Sequence, residues 1–357
     1  MTPIRIVVAD DSMTVRKRIV EVLSAQPDFA VVAEAANGQE AIEACQRWRP
    51  DVITLDMMMP VISGLAATEY IMAYCPTPIL IVSSSFNRGE VFKTYDALAA
   101  GALDVLEKPT AIGVDDAWER QLVATLRLIA RIKVITHPRG RLHRTNADVR
   151  PRLASAASSP APAARSAHRL VAIGASTGGP GAVMDILGAL PREFPLPLLV
   201  VIHISRGFGG SFADWLQGLA HFPVAFARDD EPLPAPGSCR VVLAPPDNHV
   251  IVRDGRLRLT DEPERHSCRP SVDVLFESVA REIGPGAIGC LLTGMGRDGA
   301  AGLLAMRRAG AHTVAQDESS CVVFGMPREA IRLEAALQVL PLEAIAPALV
   351  GLAAAAR

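Results

Sequence analysis

The amino-acid sequence predicts α/β architecture: two doubly wound parallel-sheet domains joined by a flexible linker. Three observations carry that prediction. Apolar runs of strand length alternate with helix-period stretches from Ile4 to about Ile132. Residues 133–168 then lose apolar periodicity and collect Pro138, Pro151, Pro160 and Pro162 in an Ala/Ser-rich stretch. The strand–helix alternation resumes at Leu170. The boundaries so drawn are 1–132, 133–168 and 169–357, a division that a chain of 357 residues accommodates.

In the first domain the run Ile6-Val7-Val8-Ala9 ends in Asp10-Asp11. A helix follows with Val15, Ile19, Val22 and Leu23 on one face, and a second carries Ala41, Ile42 and Cys45. The run Asp51-Val52-Ile53-Thr54-Leu55 ends in Asp56, and Pro78-Ile79-Leu80-Ile81-Val82 ends in Ser83. Lys108-Pro109 follow Leu103-Asp104-Val105-Leu106-Glu107, and a long last helix runs from about Val114 to Ile132. Five strands with five helices make a doubly wound domain. In such a sheet the carboxyl ends of the strands converge on one crevice. Three carboxylates gathered there repel unless a cation joins them, and an oxygen-only set suits Mg2+. One of them could accept a phosphoryl group.

The middle segment holds Lys133, Arg139, Arg141, Arg144, Arg150, Arg152 and Arg165 against almost only Asp148. A solvated tether, kept soluble by its charge, is favoured over a basic arm aimed at an acidic partner.

In the second domain the strand-like runs are Leu170–Gly174, Leu198–Ile204, Val224–Ala227, Arg240–Ala244, Ala287–Leu292 and His312–Ala315. His249–Thr260, with Asp254-Gly255 at its centre, reads as a β-hairpin. The apolar tail Ala344–Ala356 contains Pro347 and Gly351 and reads as a core-packed terminal helix rather than an anchor.

Composition bounds the function classes. Lys plus Arg number 36 against 38 Asp plus Glu, so global charge signals neither nucleic acid nor a membrane. The six cysteines form no CxxC pair and no Cys/His cluster, and read as reduced, mostly core residues of a cytoplasmic protein. Acids come too early for a signal peptide. No apolar run reaches the roughly 18 residues of a membrane span.

The second domain opens on Gly174-Ala175-Ser176-Thr177-Gly178-Gly179-Pro180, which fits the G-x-S-x-G nucleophile elbow. On the motif alone, packing or phosphate binding is slightly ahead. A nucleophilic serine needs a base. His203 ends the next strand-like run, although a single His there is more often structural. Asp298 lies in Leu292-Thr293-Gly294-Met295-Gly296-Arg297-Asp298-Gly299, a third strand–turn–helix junction. Ser, His and Asp presented at three junctions suggest a triad. Its chain order differs from the Ser–Asp–His of α/β-hydrolases. The rival reading takes Gly294–Gly299 as G-x-G-x-x-G, with Asp317 about 20 residues on as a ribose-binding acid. It leaves Ser176 and His203 unused and puts the motif late in the domain. Arg269-Pro270-Ser271 reads equally as a helix start capped by Ser271 or as a substrate contact.

Two resemblances bear on these alternatives. Asp10, Asp11, Asp56, Ser83 and Lys108-Pro109, with Met58-Met59-Pro60 and Gly64, resemble the receiver domain of two-component response regulators over residues 4 to about 125. That resemblance implies a flavodoxin-like fold with Asp56 as phosphoacceptor. Asp11, Asp56 and the Met58 carbonyl would bind Mg2+ directly, Asp10 through water, and Ser83 and Lys108 would contact the phosphoryl oxygens. Val105 stands where receivers commonly carry an aromatic residue, three before the lysine.

Residues 169 to about 350 resemble the catalytic domain of the chemotaxis protein-glutamate methylesterases, which are also protein-glutamine glutaminases. The matching strings are the elbow, Leu292–Gly299, Arg269-Pro270-Ser271-Val272-Asp273 and Val323-Phe324-Gly325-Met326-Pro327. The implied roles are Ser176 as nucleophile, His203 as general base, Asp298 as its orienting acid and Met295 as an oxyanion-hole amide, on a Rossmann-like domain needing no cofactor for the ester chemistry. Ile204-Ser205 replace the family's usual Met-Pro. The resemblance further implies a phosphorylation-activated cytoplasmic hydrolase whose unphosphorylated receiver covers the cleft. A sensor histidine kinase would be the phosphodonor and methyl-accepting chemoreceptors the substrate, with no nucleic-acid partner and no membrane insertion. The alternative is a response regulator with a non-catalytic or nucleotide-binding output domain.

Overall fold

The computed structural model describes residues 2–84, 88–109, 116–132, 134, 168–204, 206–237 and 239–354. Apart from Val134 and His168, the expected linker and its basic residues lie outside the described residues, as does Ser205.

The first sheet comprises β1 (Ile4–Ala9), β2 (Phe29–Ala35), β3 (Val52–Leu55), β4 (Ile79–Ser83) and β5 (Asp104–Glu107), all parallel in the order β2-β1-β3-β4-β5. The apolar runs are continuous because these strands are covered on both faces; Ile6, Val7, Val8, Ile53, Leu55, Leu80 and Ile81 are fully buried. The crossover helices are α1 (Met13–Ser24), α2 (Gly38–Trp48), α3 (Gly64–Tyr74), α4 (Arg88–Ala99) and α5 (Asp116–Ile129). Ser12, Asn37 and Ser63 cap the first three by accepting from the amides of Val15, Glu40 and Ala66. The strand order reverses between β1 and β3. The crevice therefore opens where Asp10-Asp11 and Asp56 leave their strands.

The second sheet has seven parallel strands in the order β15-β14-β13-β6-β7-β10-β8. These are β6 (Leu170–Ala175), β7 (Leu198–Ile202), β8 (Val224–Phe226), β10 (Val241–Leu243), β13 (Ala287–Leu291), β14 (His312–Gln316) and β15 (Gln338–Leu340). The first six match the expected runs. β15 does not follow from periodicity, because it is a three-residue edge strand whose Gln338 and Val339 stay exposed. A small antiparallel sheet joins β11 (His249–Arg253) and β12 (Arg256–Thr260) to β9 (Glu231–Pro232), a two-residue pairing too short to be read from sequence. The expected hairpin turn is there, with Asp254 at φ 53° and Gly255 at φ 69°. Both central residues are left-handed, as the tight turn matching strand twist requires.

The helices of this domain are α6 (Gly179–Ala189), α7 (Arg206–Gly209), α8 (Phe212–Leu219), α9 (Val272–Glu282), α10 (Ala300–Arg308), α11 (Met326–Arg332) and α12 (Leu342–Ala354). The terminal helix α12 continues through Pro347, buries Ile345, Ala346, Leu349 and Ala353, and packs on α6. Among the described residues no helix is long and apolar enough to cross a membrane.

The two domains meet through α4, which packs on α6 and α8. Tyr95 of α4 is fully buried, its ring centroid 5.3 Å from those of both Phe212 and Trp215. Trp215 Nε1 donates to Asp96 Oδ1 at 2.9 Å. Each such aromatic pair adds about 0.5–1.5 kcal/mol beyond area burial. Against this, the Tyr95 hydroxyl is buried with no hydrogen-bond partner among the described residues. Leaving such a group unsatisfied costs about 1–3 kcal/mol.

Candidate active site

β6 is the strand at which the second sheet changes direction: β7 continues on one side of it and β13 returns on the other. Ligand sites of open α/β sheets lie at that switch. Ala175 pairs with Ile202, so Ser176 and His203 are the first residues beyond two neighbouring strands. The His203 amide donates to Ala175 O at 3.1 Å, and the Ser176 amide to Thr293 O at 3.0 Å, tying the three junctions together. The elbow needs its glycine: Gly178 has φ 77°, and a Cβ there would lie 2.5 Å from Val322. α6 starts directly after this turn.

Asp298 is buried and fully engaged. It accepts from His203 Nε2 (2.9 Å), Ser271 Oγ (2.8 Å) and the amides of Val272 (2.7 Å), Asp273 (3.0 Å) and Gly299 (3.0 Å). Val272 and Asp273 open α9, so the carboxylate sits on a helix N-terminus that favours negative charge. Burial opposes ionisation, but the His203 hydrogen bond and charge, with the backbone donors, outweigh it and hold this carboxyl below its ordinary range. Ser271 proves to be the N-cap of α9, accepting from the Val274 amide, and its hydroxyl also donates to Asp298.

His203 shows 16% of its side chain to solvent. Burial works against its protonation, yet the hydrogen bonds and charges of Asp298 and Cys268 prevail and bring it to about 9. With Nε2–H given to Asp298, Nδ1 carries the basic lone pair. Nδ1 lies 3.7 Å from Cys268 Sγ. Ser176 Oγ makes no hydrogen bond to a described residue. The structure thus brings Ser176, His203 and Asp298 to one strand edge and pairs two of them, with the Cys268 thiol at the nitrogen the serine would use. Cys268 went unnoticed in the sequence, although its place just before Arg269-Pro270-Ser271, outside any apolar run, was a usable signal. It and Cys321 are partly exposed, whereas the other four cysteines are buried; all six are free thiols.

Met295 lies in the loop after β13. Gly294 O accepts from the amides of Gly325 (3.1 Å) and Met326 (2.9 Å), which pins that loop to the Val323–Pro327 string. The Met295 amide donates to no described residue, and its side chain is 53% exposed. Asp317, the acid of the nucleotide reading, is spent on its own turn, accepting from Ser319 Oγ (2.9 Å), Ser320 N (2.9 Å) and Ser320 Oγ (2.7 Å).

In the first domain, side-chain oxygens of Asp10, Asp11 and Asp56 lie within 4.8 Å of one another. Asp10 and Asp56 are buried, and Lys108 Nζ sits 3.0 Å from an oxygen of each. Burial first, then the neighbouring Asp10, push Asp56 up to about 6 against the pull of Lys108. One lysine leaves this oxygen-only cluster short of positive charge, and the donor set fits a hard divalent cation. Met58 follows at the crevice, its side chain exposed. The Ser83 hydroxyl is already engaged. Its hydroxyl donates to Glu90 Oε1 at 2.6 Å, on α4. Val105 is buried in β5.

Comparison with known proteins follows the same division. The model of the CheB methylesterase family matches residues 171–349, and that of the response regulator receiver domain matches residues 6–114. A protein-glutamate methylesterase/protein-glutamine glutaminase of Nitrosospira multiformis is 45% identical over 361 aligned residues, covering 98% of this chain and 97% of that protein. A second, from Anaeromyxobacter dehalogenans, is 43% identical over 347, covering 97% and 96%. Among solved structures, the CheB methylesterase catalytic domain of Thermotoga maritima is 35% identical, covers 52% of this chain and 98% of that one, and gives a TM-score of 0.49.

Proposed function

The chain belongs to the CheB methylesterase family, and on that premise we propose a phosphorylation-activated hydrolase that demethylates glutamate methyl esters and deamidates glutamines. Its parts are a receiver domain over residues 1–132, a linker over 133–168 and the esterase over 169–357. The observation that carries the chemistry is the Asp298–His203 pair set beside Ser176 at the switch point of the second sheet. The substrates are methylated glutamates on the cytoplasmic helices of chemoreceptors, and the work is done in the cytoplasm.

In the reaction, His203 Nδ1 takes the Ser176 proton as Oγ adds to the γ-carbonyl carbon. Asp298 keeps the imidazole in the Nε2–H form and stabilises its charge. The Met295 amide donates to the developing oxyanion; removal of one such donor typically costs about 10²–10³ in rate. The proton passes from His203 to the leaving oxygen, and methanol departs. Water, deprotonated by the same nitrogen, then releases glutamate and free serine. With glutamine, ammonia leaves. Nδ1 must first be freed from Cys268.

The receiver supplies control. A sensor histidine kinase gives its phosphoryl group to Asp56, whose carboxylate oxygen bonds to phosphorus as the donor's bond breaks. Asp11, Asp56 and the Met58 carbonyl would hold Mg2+, with Asp10 acting through water, and the cation would offset the repulsion of the acids and of the incoming group. Lys108, already 3.0 Å from Asp56, would neutralise charge on the phosphoryl oxygens.

A fluorophosphonate probe followed by peptide mass spectrometry tests the nucleophile. Label on Ser176, lost in His203→Ala, is the expected outcome. Label elsewhere, or none on an active preparation, contradicts the assignment.

A further inference from the structure

We propose that Glu90 is the positioning residue through which phosphorylation of Asp56 loosens the receiver from the esterase domain. The inference rests on the reading of Asp56 as phosphoacceptor and of the receiver as cover. Glu90 lies in the first turn of α4, only 9% exposed. Its Oε1 accepts the Ser83 hydroxyl at 2.6 Å and the Ser84 amide at 3.0 Å. A serine hydroxyl has one proton. It can serve Glu90 or a phosphoryl oxygen on Asp56, not both, so the two bonds are alternatives.

The phosphoryl group also brings roughly −1.5 to −2 of charge towards the same crevice, which repels a carboxylate. Both effects drive Ser83 and Glu90 apart. What moves with Glu90 is α4. Tyr95 and Asp96 lie five and six residues further along it, about 7.5–9 Å in helical rise. These are the residues that hold Phe212 and Trp215 of α8. The same helix packs on α6, which begins at the nucleophile elbow. At the other end of the interface Glu107 packs against the Gly207 backbone, where a Cβ would lie 2.5 Å from its carboxylate. Gly207 is in α7, just beyond the loop that follows His203. A shift of α4 therefore acts on α8 and on α6, the helix that begins at the nucleophile elbow. The Val105 side chain has no polar atom, so no side-chain hydrogen bond is exchanged at that position of β5. The unpartnered Tyr95 hydroxyl weakens the closed arrangement, and a bias at Glu90 changes its population.

The test uses the full chain and methanol release from a methylated receptor fragment, with and without acetyl phosphate, alongside hydrogen exchange and the extent of Asp56 phosphorylation. Glu90→Ala is expected to raise the unphosphorylated rate about threefold or more and to shrink the activation ratio by a similar factor. Asp56 phosphorylation should stay at the wild-type extent. Exchange should rise in residues 88–99 and 212–219 without a phosphodonor, and stay unchanged in β1 and β3. Tyr95→Phe should act oppositely, lowering the unphosphorylated rate. If exchange rises throughout the receiver in Glu90→Ala, the isosteric Glu90→Gln decides: a reduced activation ratio supports the proposal, and a wild-type ratio overturns it. Wild-type basal rate and activation ratio in a folded Glu90→Ala chain also overturn it. A wild-type chain that releases methanol without responding to acetyl phosphate defeats the gating on which the proposal rests, whatever Glu90 does.

Discussion

At the scale of single residues, the account stands on three side chains and one unexpected neighbour. Ser176→Ala and His203→Ala should remain folded and lose esterase activity by about 10⁴-fold or more. Asp298→Asn should lose activity as well, because an amide no longer selects the Nε2–H tautomer. Near-wild-type methanol release by Ser176→Ala would sink the triad. Cys268 makes a sharper claim. A base held at about 9 is mostly protonated at neutral pH, and protonated imidazole cannot take the serine proton. kcat/KM should therefore climb with pH towards that value. Cys268→Ala removes a group that raises His203, so the climb should move to lower pH. A pH–rate profile unchanged in Cys268→Ala would show that the thiol does not act on the base. Ser176 and His203 could be singled out because each follows a strand-like run, and Asp298 because it lies in the glycine-rich turn after another. Cys268 was not, because its importance lies in a contact across 65 residues of chain that no local pattern encodes.

At the scale of elements, α9 does more than fill space. Its N-terminus supplies two amides, and its cap residue a hydroxyl, to Asp298. Ser271→Ala should lose the cap, worth about 1 kcal/mol, and a charge-assisted bond to Asp298. We expect a lower melting temperature together with a fall in kcat at nearly unchanged KM. A stability loss without any change in kcat would make Ser271 a cap only. In the receiver, acetyl phosphate should label Asp56 in Mg2+, not in EDTA, and Asp56→Asn should abolish the label; equal yield in EDTA, read by mass spectrometry, would refute the cation's part. Elements buried on both faces, such as β1, β4, β6 and β13, announced themselves as unbroken apolar runs. β15 and β9 did not, because an exposed edge and a two-residue pairing are fixed by tertiary contact rather than by pattern.

At the scale of the whole molecule, two complete α/β domains meet chiefly through α4, with Glu107 of β5 against Gly207 beside it, and their contact was the least legible feature of all. Tyr95, Phe212 and Trp215 sit on helices where apolar residues read as the core of their own domain. Only the fold shows that they serve each other's. The clasp joins α4, whose Glu90 holds Ser83, to α6, which begins at the elbow, and to α8, and the proposed gating runs along that route. Control of this kind shifts a population, and about 1.4 kcal/mol changes a ratio tenfold. The most direct measurement is methanol release from a methylated receptor fragment by the full chain, with and without a phosphodonor in Mg2+, and by Asp56→Asn under the same conditions. The account predicts slow release from the unphosphorylated chain, a marked rise on phosphorylation, and no rise in Asp56→Asn. Equal release in all three would contradict it.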